Sequence, residues 1–448
     1  MTRTAPQRTP LGWTPLAALA TAQFLVVLST SIVNVALPGI RTGLDLSDTG
    51  QAWTVNAYVL VFGALLLPGG RAGDVHGLRR VFLFGTGLFA LSALGAALAP
   101  TAVVLIVCRA VQGIGAALLA PTALALVLTL YPAGRRRGVA LGVWGAVSGA
   151  GGAAGVLLSG LLTSLYGWRA VFVVMVPLAL VVLVATWLLV GADRPRGGSQ
   201  ASADRPRDGS QASADRPRSG SLDAPGTVTV TAGLVALTYG LSGPWPIAVL
   251  GLALLGVFVV LQRRSADPLL PARMSVVAVP NVLMALLGAV WLGLFYFLPL
   301  YQQRTLGYSP LAAGLTQLPL ALMITLSSWV TGKISGRPVL PVGLAVLAAG
   351  LAWLSRTPPD GSFPVDLLGP TLLIGLGLGV AFVRLTALAS TGVAATDNGL
   401  AGGLVNASRQ LGGAIGLSFL TLLPSPGAAF AACAALTLLV SALSTRKA

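Results

Sequence analysis

Three arginines, Arg109, Arg384 and Arg409, stand within long apolar runs, and no carboxylate stands in the interior of those runs. A guanidinium offers five N–H donors and keeps its charge at any relevant pH. In hydrocarbon such a group is costly, and it usually faces a cavity or a polar partner. Arg109 has Gln112 one turn on, followed by Gly113 and Gly115; Arg409 has Asn406 one turn before it, with Gln410, Gly412 and Gly413 after it. Arg109 falls roughly 12 Å into its run at 1.5 Å per residue. Arg409 falls near mid-depth, and Arg384 lies close enough to an end to snorkel. These groups suit recognition of the polar part of a solute. Asn34, Arg109, Gln112, Asn406 and Arg409 are therefore the first candidates for a pathway, with Asn56, Asn281 and Gln317, and the rings of Trp144, Trp291 and Tyr296, as further wall residues.

Acid–base and metal chemistry find little material. All twelve acidic residues are aspartates, and none falls in the interior of an apolar run, Asp366 standing at the very edge of one. The one histidine, His76, lies in a polar turn, and Cys108 and Cys433 lie in separate runs without metal-ligand spacing. No cofactor or metal is expected, and an enzyme is disfavoured. A proton carrier deep in a bilayer would commonly be Asp, Glu or His. Asp45 and Asp48, beside the end of the first run, are the remaining candidates for a proton-linked step; otherwise the solute carries the proton or movement is uncoupled. A pathway with arginine and no carboxylate disfavours organic cations and favours a neutral, zwitterionic or anionic amphiphile.

The elements that hold these residues are set by composition. Apolar residues make up 55% of 448, charged residues 9%, and mean hydropathy is +0.86. Soluble domains carry roughly one quarter charged residues, so this chain lacks the polar surface to face water throughout. A span needs about 20 mostly apolar residues. That rule gives fourteen: 14–37, 50–69, 80–99, 102–130, 139–162, 168–191, 226–243, 245–262, 276–301, 311–331, 338–355, 365–389, 400–422 and 427–444. The first is read as a retained span, since no small-residue cleavage pattern follows it. Assigning alternate loops to the cytoplasm gathers 21 of the 28 basic residues there and leaves four outside: Arg41, Arg169, Arg304 and Arg356. That bias predicts both termini in the cytoplasm of a multi-pass cell-membrane protein. It also accounts for the net charge of +16 without nucleic acid.

Residues 192–224 differ in kind, with three tandem eleven-residue copies each beginning Ala-Asp-Arg-Pro-Arg. Proline in every copy and the absence of an apolar seam argue against a coiled coil, and the composition predicts a disordered tether. The expected division is a six-helix bundle over 1–191, a repeat linker over 192–225, a helix pair over 226–262 and a second bundle over 263–448.

Between the second and third runs lie Gly70, Asp74, Gly77, Arg79 and Arg80, a glycine-rich turn with one carboxylate and a basic pair, suited to a hinge. The fifth run carries Gly151, Gly155 and Gly160 among other small residues, which permit close helix contact. Together with the Arg109 segment, these resemble motifs A, C and B of the major facilitator superfamily. Ser31 to Pro38, Trp53, Tyr58, the Gly167–Trp168–Arg169 run and Leu298 to Gln302 are similar, more narrowly, to its fourteen-span drug:proton antiporters. The resemblance implies an all-α membrane protein of the major facilitator fold, two six-helix bundles with an inserted helix pair, moving by alternating access. It implies export of drug- or antibiotic-like amphiphiles, with a small-molecule substrate, protons and the lipid bilayer as partners, from a monomer. Gly70, Asp74, Gly77, Arg79, Arg80, Gly151, Gly155 and Gly160 would be its gating residues. The chain departs from that pattern at Ser29, where an Asp commonly stands, and at Val156, where a Pro does. An uncoupled facilitator or importer of a metabolite is the alternative on the same fold. A non-transporting sensor is the alternative of another class.

Overall fold

The computed structural model describes residues 13–131, 134–191, 223–241, 243–265, 268–334, 339–389, 391–393 and 398–445. Most of the repeat linker, Arg3, Arg8, Asp267, Arg337, Asp397, Arg446 and Lys447 lie outside them. Among the described residues the elements are helical: α1 (Thr14–Leu44), α2 (Asp48–His76), α3 (Leu78–Ala97), α4 (Ala102–Leu130) and α5 (Arg135–Tyr166). Next come α6 (Ala170–Leu189, broken at Val174), α7 (Ala224–Leu241) and α8 (Trp245–Arg264). The last six are α9 (Ala278–Arg304), α10 (Pro310–Thr331, broken at Gln317), α11 (Val339–Leu354), α12 (Leu368–Leu388), α13 (Asn398–Leu420) and α14 (Pro426–Thr445).

Helices dominate because a helix satisfies its own backbone groups where lipid offers no partner. Among the described residues, twelve helices are long and apolar enough to cross a membrane. The two outside that set are α11, apolar but only 16 residues, and α13, which is 23 residues long and carries Asn406, Ser408, Arg409 and Gln410. Local signals fix several ends. The Ser47 hydroxyl caps α2 by accepting from the Gly50 N–H at 3.1 Å, and Ser309 caps α10 by accepting from Ala312 at 3.2 Å.

The polar turn expected over 70–80 is largely helix. α2 stays helical through His76, and the chain reverses at Gly77 alone, whose φ of 100° is open to glycine at little cost. Gly70 and Asp74 therefore sit on the last turns of α2, and Arg79 and Arg80 open α3.

Packing follows one scheme twice. In the first bundle α1 packs on α5, α2 on α4, α3 on α4, α3 on α6, α1 on α6 and α1 on α4. In the second, α9 packs on α13, α10 on α12, α11 on α12, α11 on α14, α9 on α14 and α9 on α12. Each of these six pairings in one bundle has its counterpart in the other, so the halves are related by pseudo-symmetry. The two seams between bundles, α2 on α13 and α5 on α10, obey the same relation. Small residues make the close approaches. A Cβ on Gly113 would lie 2.7 Å from the Tyr58 carbonyl of α2, and one on Gly115 would lie 2.8 Å from the Phe89 nitrogen of α3. Helices α7 and α8 pack on each other through Gly233, Gly240 and Gly251, and α7 leans on α2 and α13, with the Tyr239 ring 5.8 Å from that of Trp53.

Candidate functional site: the polar groups between the bundles

In the first bundle Arg109 is wholly buried. Its Nε donates to the Thr54 carbonyl at 3.0 Å, Nη1 to Gln112 Oε1 at 2.5 Å and Nη2 to the Ser29 carbonyl at 3.4 Å. The guanidinium stands 4.3 Å from the centre of the Tyr58 ring, and the Tyr58 hydroxyl donates to the Val26 carbonyl at 3.3 Å. One cation thus ties α4 to α1 and α2. Gln112, also buried, places its amide nitrogen 3.4 Å from Met175 Sδ of α6. Backbone carbonyls, a side-chain amide and an aromatic face supply the compensation that a carboxylate would otherwise give.

Arg409 in the second bundle has a different setting. It lies at the middle of α13 and is partly exposed. Its Nη2 donates to Asn406 Oδ1 at 3.0 Å, and its Cζ lies 5.7 Å from the Trp291 ring centre and 5.9 Å from that of Phe382. Trp291 also stands 5.5 Å from Phe295 and 5.9 Å from Phe382, so α9 and α12 present an aromatic wall to the cation.

The candidate pathway residues therefore form two pairs, Arg109 with Gln112 and Arg409 with Asn406, one in each bundle. Asn34 stands apart on α1, its Nδ2 donating to the Thr30 carbonyl at 3.4 Å and its buried Oδ1 without a partner. Of the other polar candidates, Asn281 serves helix packing, accepting from Ser408 at 3.1 Å, and Asn56 crosses between bundles, its Nδ2 donating to Ser418 at 3.0 Å. Arg384 is partly exposed near the end of α12, 3.4 Å from the Ile334 carbonyl.

The glycines of α5 divide by neighbour. Gly151 and Gly155 face α1: a Cβ on Gly151 would sit 3.1 Å from the Phe24 carbonyl, and one on Gly155 would overlap the Ser31 hydroxyl. Gly160 faces the other bundle, where a Cβ would sit 2.5 Å from the Pro310 carbonyl and 3.3 Å from Gly314 Cα. The opposite half of α5 is open: Gly138, Gly142 and Gly145 would each meet nothing within 4 Å. Along α5 and α10 the bundles therefore converge at the Gly160 end and part toward Arg135.

A polar cluster spans the converged end. Asp48 at the start of α2 pairs with Arg41 of α1 and, at 3.5 Å, with Arg304 of α9. Arg304 also donates to Gln51 Oε1 at 2.5 Å, and Gln303 Nε2 donates to the Val35 carbonyl at 2.9 Å. Asp45 closes α1 in the left-handed conformation, φ 50°, and is exposed.

Residues 19–417 match the Major Facilitator Superfamily. The chain belongs to that superfamily. It is 38% identical over 439 residues to the cephamycin export protein CmcT of Amycolatopsis lactamdurans, covering 94% of this chain and 86% of that protein. It is 39% identical to the puromycin resistance protein pur8 of Streptomyces alboniger, covering 92% of this chain and 81% of that one. In fold it is similar to a D-xylose-proton symporter (TM-score 0.68, 15% identity, covering 96% of this chain and 97% of that one). It is also similar to the inward-open xylose transporter XylE from E. coli (TM-score 0.65, 14% identity, covering 96% of this chain and 95% of that one). The chain is accordingly a multi-pass membrane transporter and not an enzyme.

For a facilitator-superfamily transporter, the residues that sequence reasoning passed over are those joining the two halves. Arg304 reads as an ordinary outer-loop cation, and Gln51 and Gln303 carry no motif. Each matters through a partner in the other half of the chain, 253 and 268 residues away, a distance that residue spacing does not encode. Asp48 alone carried a signal, as a carboxylate at the end of the first run.

Proposed function

We propose that this transporter exports drug- or antibiotic-like amphiphilic compounds across the cell membrane by alternating access, with proton linkage. The observation that carries the reading is its similarity, over more than nine-tenths of the chain, to an antibiotic export protein and an antibiotic resistance protein. The geometry supports it: pseudo-symmetric bundles that converge at one end and part toward the other suit a pathway opened to each side in turn. In this reading all fourteen helices cross the bilayer with both termini cytoplasmic, α11 and α13 being shielded by neighbours despite their length or polarity. The domains divide at 191, 225 and 262, and the protein acts as a monomer.

Roles divide among the candidates. Arg409 and Asn406, with Asn34 opposite, line the pathway. Arg109 and Gln112 stand behind its wall and hold α1, α2 and α4 in register. Gly70, Asp74, Gly77, Arg79 and Arg80 act at the cytoplasmic hinge, while Gly151, Gly155 and Gly160 let α5 slide on α1 and α10. Asp45 and Asp48 are the carboxylates placed to sense external protons. Uncoupled movement is the second reading, supported by the absence of any carboxylate from the interior of the described spans.

The test is solute flux in proteoliposomes with and without an imposed pH gradient, using antibiotics of the classes carried by the relatives. Flux accelerated by an external acid gradient supports proton-linked export. Flux indifferent to the gradient replaces it with facilitated movement, and no flux of any such compound overturns the export reading.

A further inference from the structure

The two mid-helix arginines, Arg109 and Arg409, have unequal settings. Arg109 donates from all three nitrogens to protein oxygens and stacks closely on Tyr58. Arg409 makes one hydrogen bond, to Asn406, and its two ring contacts lie near the roughly 6 Å limit at which a cation still gains from an aromatic face. Among the described residues, most of its five donors are left without a protein acceptor. It is also at mid-helix, roughly 16 Å from either end of α13 at 1.5 Å per residue, too deep for the head to reach a lipid headgroup region easily. An arginine at that depth without a counter-ion is costly.

Its orientation is constrained. The α13 backbone at Arg409 presses on α9, since a Cβ on Gly288 would overlap the Arg409 carbonyl. The side chain then runs beside Trp291 of α9 toward Phe382 of α12, two helices that pack on each other. That direction is into the second bundle's inner surface rather than out to lipid. The result is a partly open cation beside three partly exposed rings, Trp291, Phe295 and Phe382.

We propose that this cluster is an anion-binding subsite: Arg409 takes a carboxylate or similar oxyanion of the transported amphiphile, Asn406 steadies the guanidinium, and Trp291, Phe295 and Phe382 hold the planar apolar body. A guanidinium fork matches a carboxylate with two parallel hydrogen bonds, and bound anion supplies the counter-charge that the protein lacks. The inference rests on the transport reading and narrows its substrate to anionic or zwitterionic aromatic amphiphiles.

The experiment uses the full-length transporter in phosphatidylcholine nanodiscs, titrated with pyrenebutyrate and with a pyrenebutyl trimethylammonium salt, read by tryptophan-to-pyrene energy transfer against empty discs. The wild type is expected to bind the carboxylate at least tenfold more tightly than the cation. Arg409→Gln is expected to remove that preference, Arg409→Lys to retain part of it, and Trp291→Leu to weaken both probes alike. Equal or tighter binding of the cation by the wild type, or an undiminished carboxylate preference in Arg409→Gln, overturns the subsite. Should Arg409→Gln fail to fold, the wild-type preference and the Trp291→Leu series still decide it. Flux of the same probes in proteoliposomes separates the two readings. Selective binding without flux overturns export and leaves the subsite, whereas flux without charge preference overturns the subsite and leaves export.

Discussion

The polar cluster at the converged end makes a quantitative prediction about the balance between states. Removing the Arg304 side chain eliminates two links between bundles, the 2.5 Å hydrogen bond to Gln51 and the 3.5 Å ion pair with Asp48. A hydrogen bond to a charged group contributes about 1.5–3 kcal/mol when shielded. The Arg304 side chain is 38% exposed, so solvent screening lowers its share to about 1 kcal/mol. The Asp48 side chain is 73% exposed, which leaves the ion pair worth about 0–1 kcal/mol. Arg304→Ala should therefore shift the equilibrium away from this state by about 1–2 kcal/mol, a factor of roughly 5 to 30 at 1.4 kcal/mol per tenfold. Asp48→Asn removes only the screened pairs, about 0–1 kcal/mol, and should shift it by less than about fivefold. The assay is pulsed electron–electron distance measurement between spin labels at Thr49 and Thr305, both exposed, in a Cys108→Ala, Cys433→Ala background. Arg304→Ala should broaden the distribution toward longer distances, and Asp48→Asn should change it little. Unchanged distances in Arg304→Ala, or a larger effect from Asp48→Asn, would refute the assignment of the link to Arg304 and Gln51.

Three further outcomes are expected. Arg109→Ala deletes three hydrogen bonds and a ring contact in a buried site, so stability should fall by about 2–4 kcal/mol, visible as early loss of the monodisperse peak on heating in detergent. A variant as stable as the wild type but inactive would instead make Arg109 a substrate contact. Gly160→Val sets new atoms against the Pro310 carbonyl 2.5 Å away, an overpacking cost of about 1–3 kcal/mol confined to the converged state. Labels at Thr49 and Thr305 should then move apart and flux should fall, while unchanged distances would remove Gly160 from the seam. Gly155→Leu would collide with Ser31 on α1 within one bundle, so it should lower folding yield rather than shift those distances; normal yield with altered distances would contradict this division of the α5 glycines.

Much of the fold was legible before any contact was known. Apolar runs separated by charge give the helices, because lipid forces backbone self-satisfaction and spans of about 20 residues. Ends moved where helices outgrow the bilayer, as at α1, expected over 14–37 and found as Thr14–Leu44. The turn expected over 70–80 differs for a related reason. Polar residues suggest a loop, whereas outside the hydrocarbon a helix can carry Arg71 and Asp74 and stop only where Gly77 relaxes φ.

The site was legible in part. Sequence alone determined that cations without carboxylates lie inside apolar helices, since residue type and hydropathy suffice for that. Tertiary structure decided what each cation does. Arg109 and Arg409 look equivalent as arginines with an amide one turn away. One is enclosed by carbonyls of two neighbouring helices, while the other is left with a single amide and a wall of rings. Hydropathy is a property of one segment. The compensation of a buried charge belongs to the helices packed around it, and those are brought together only when the chain folds.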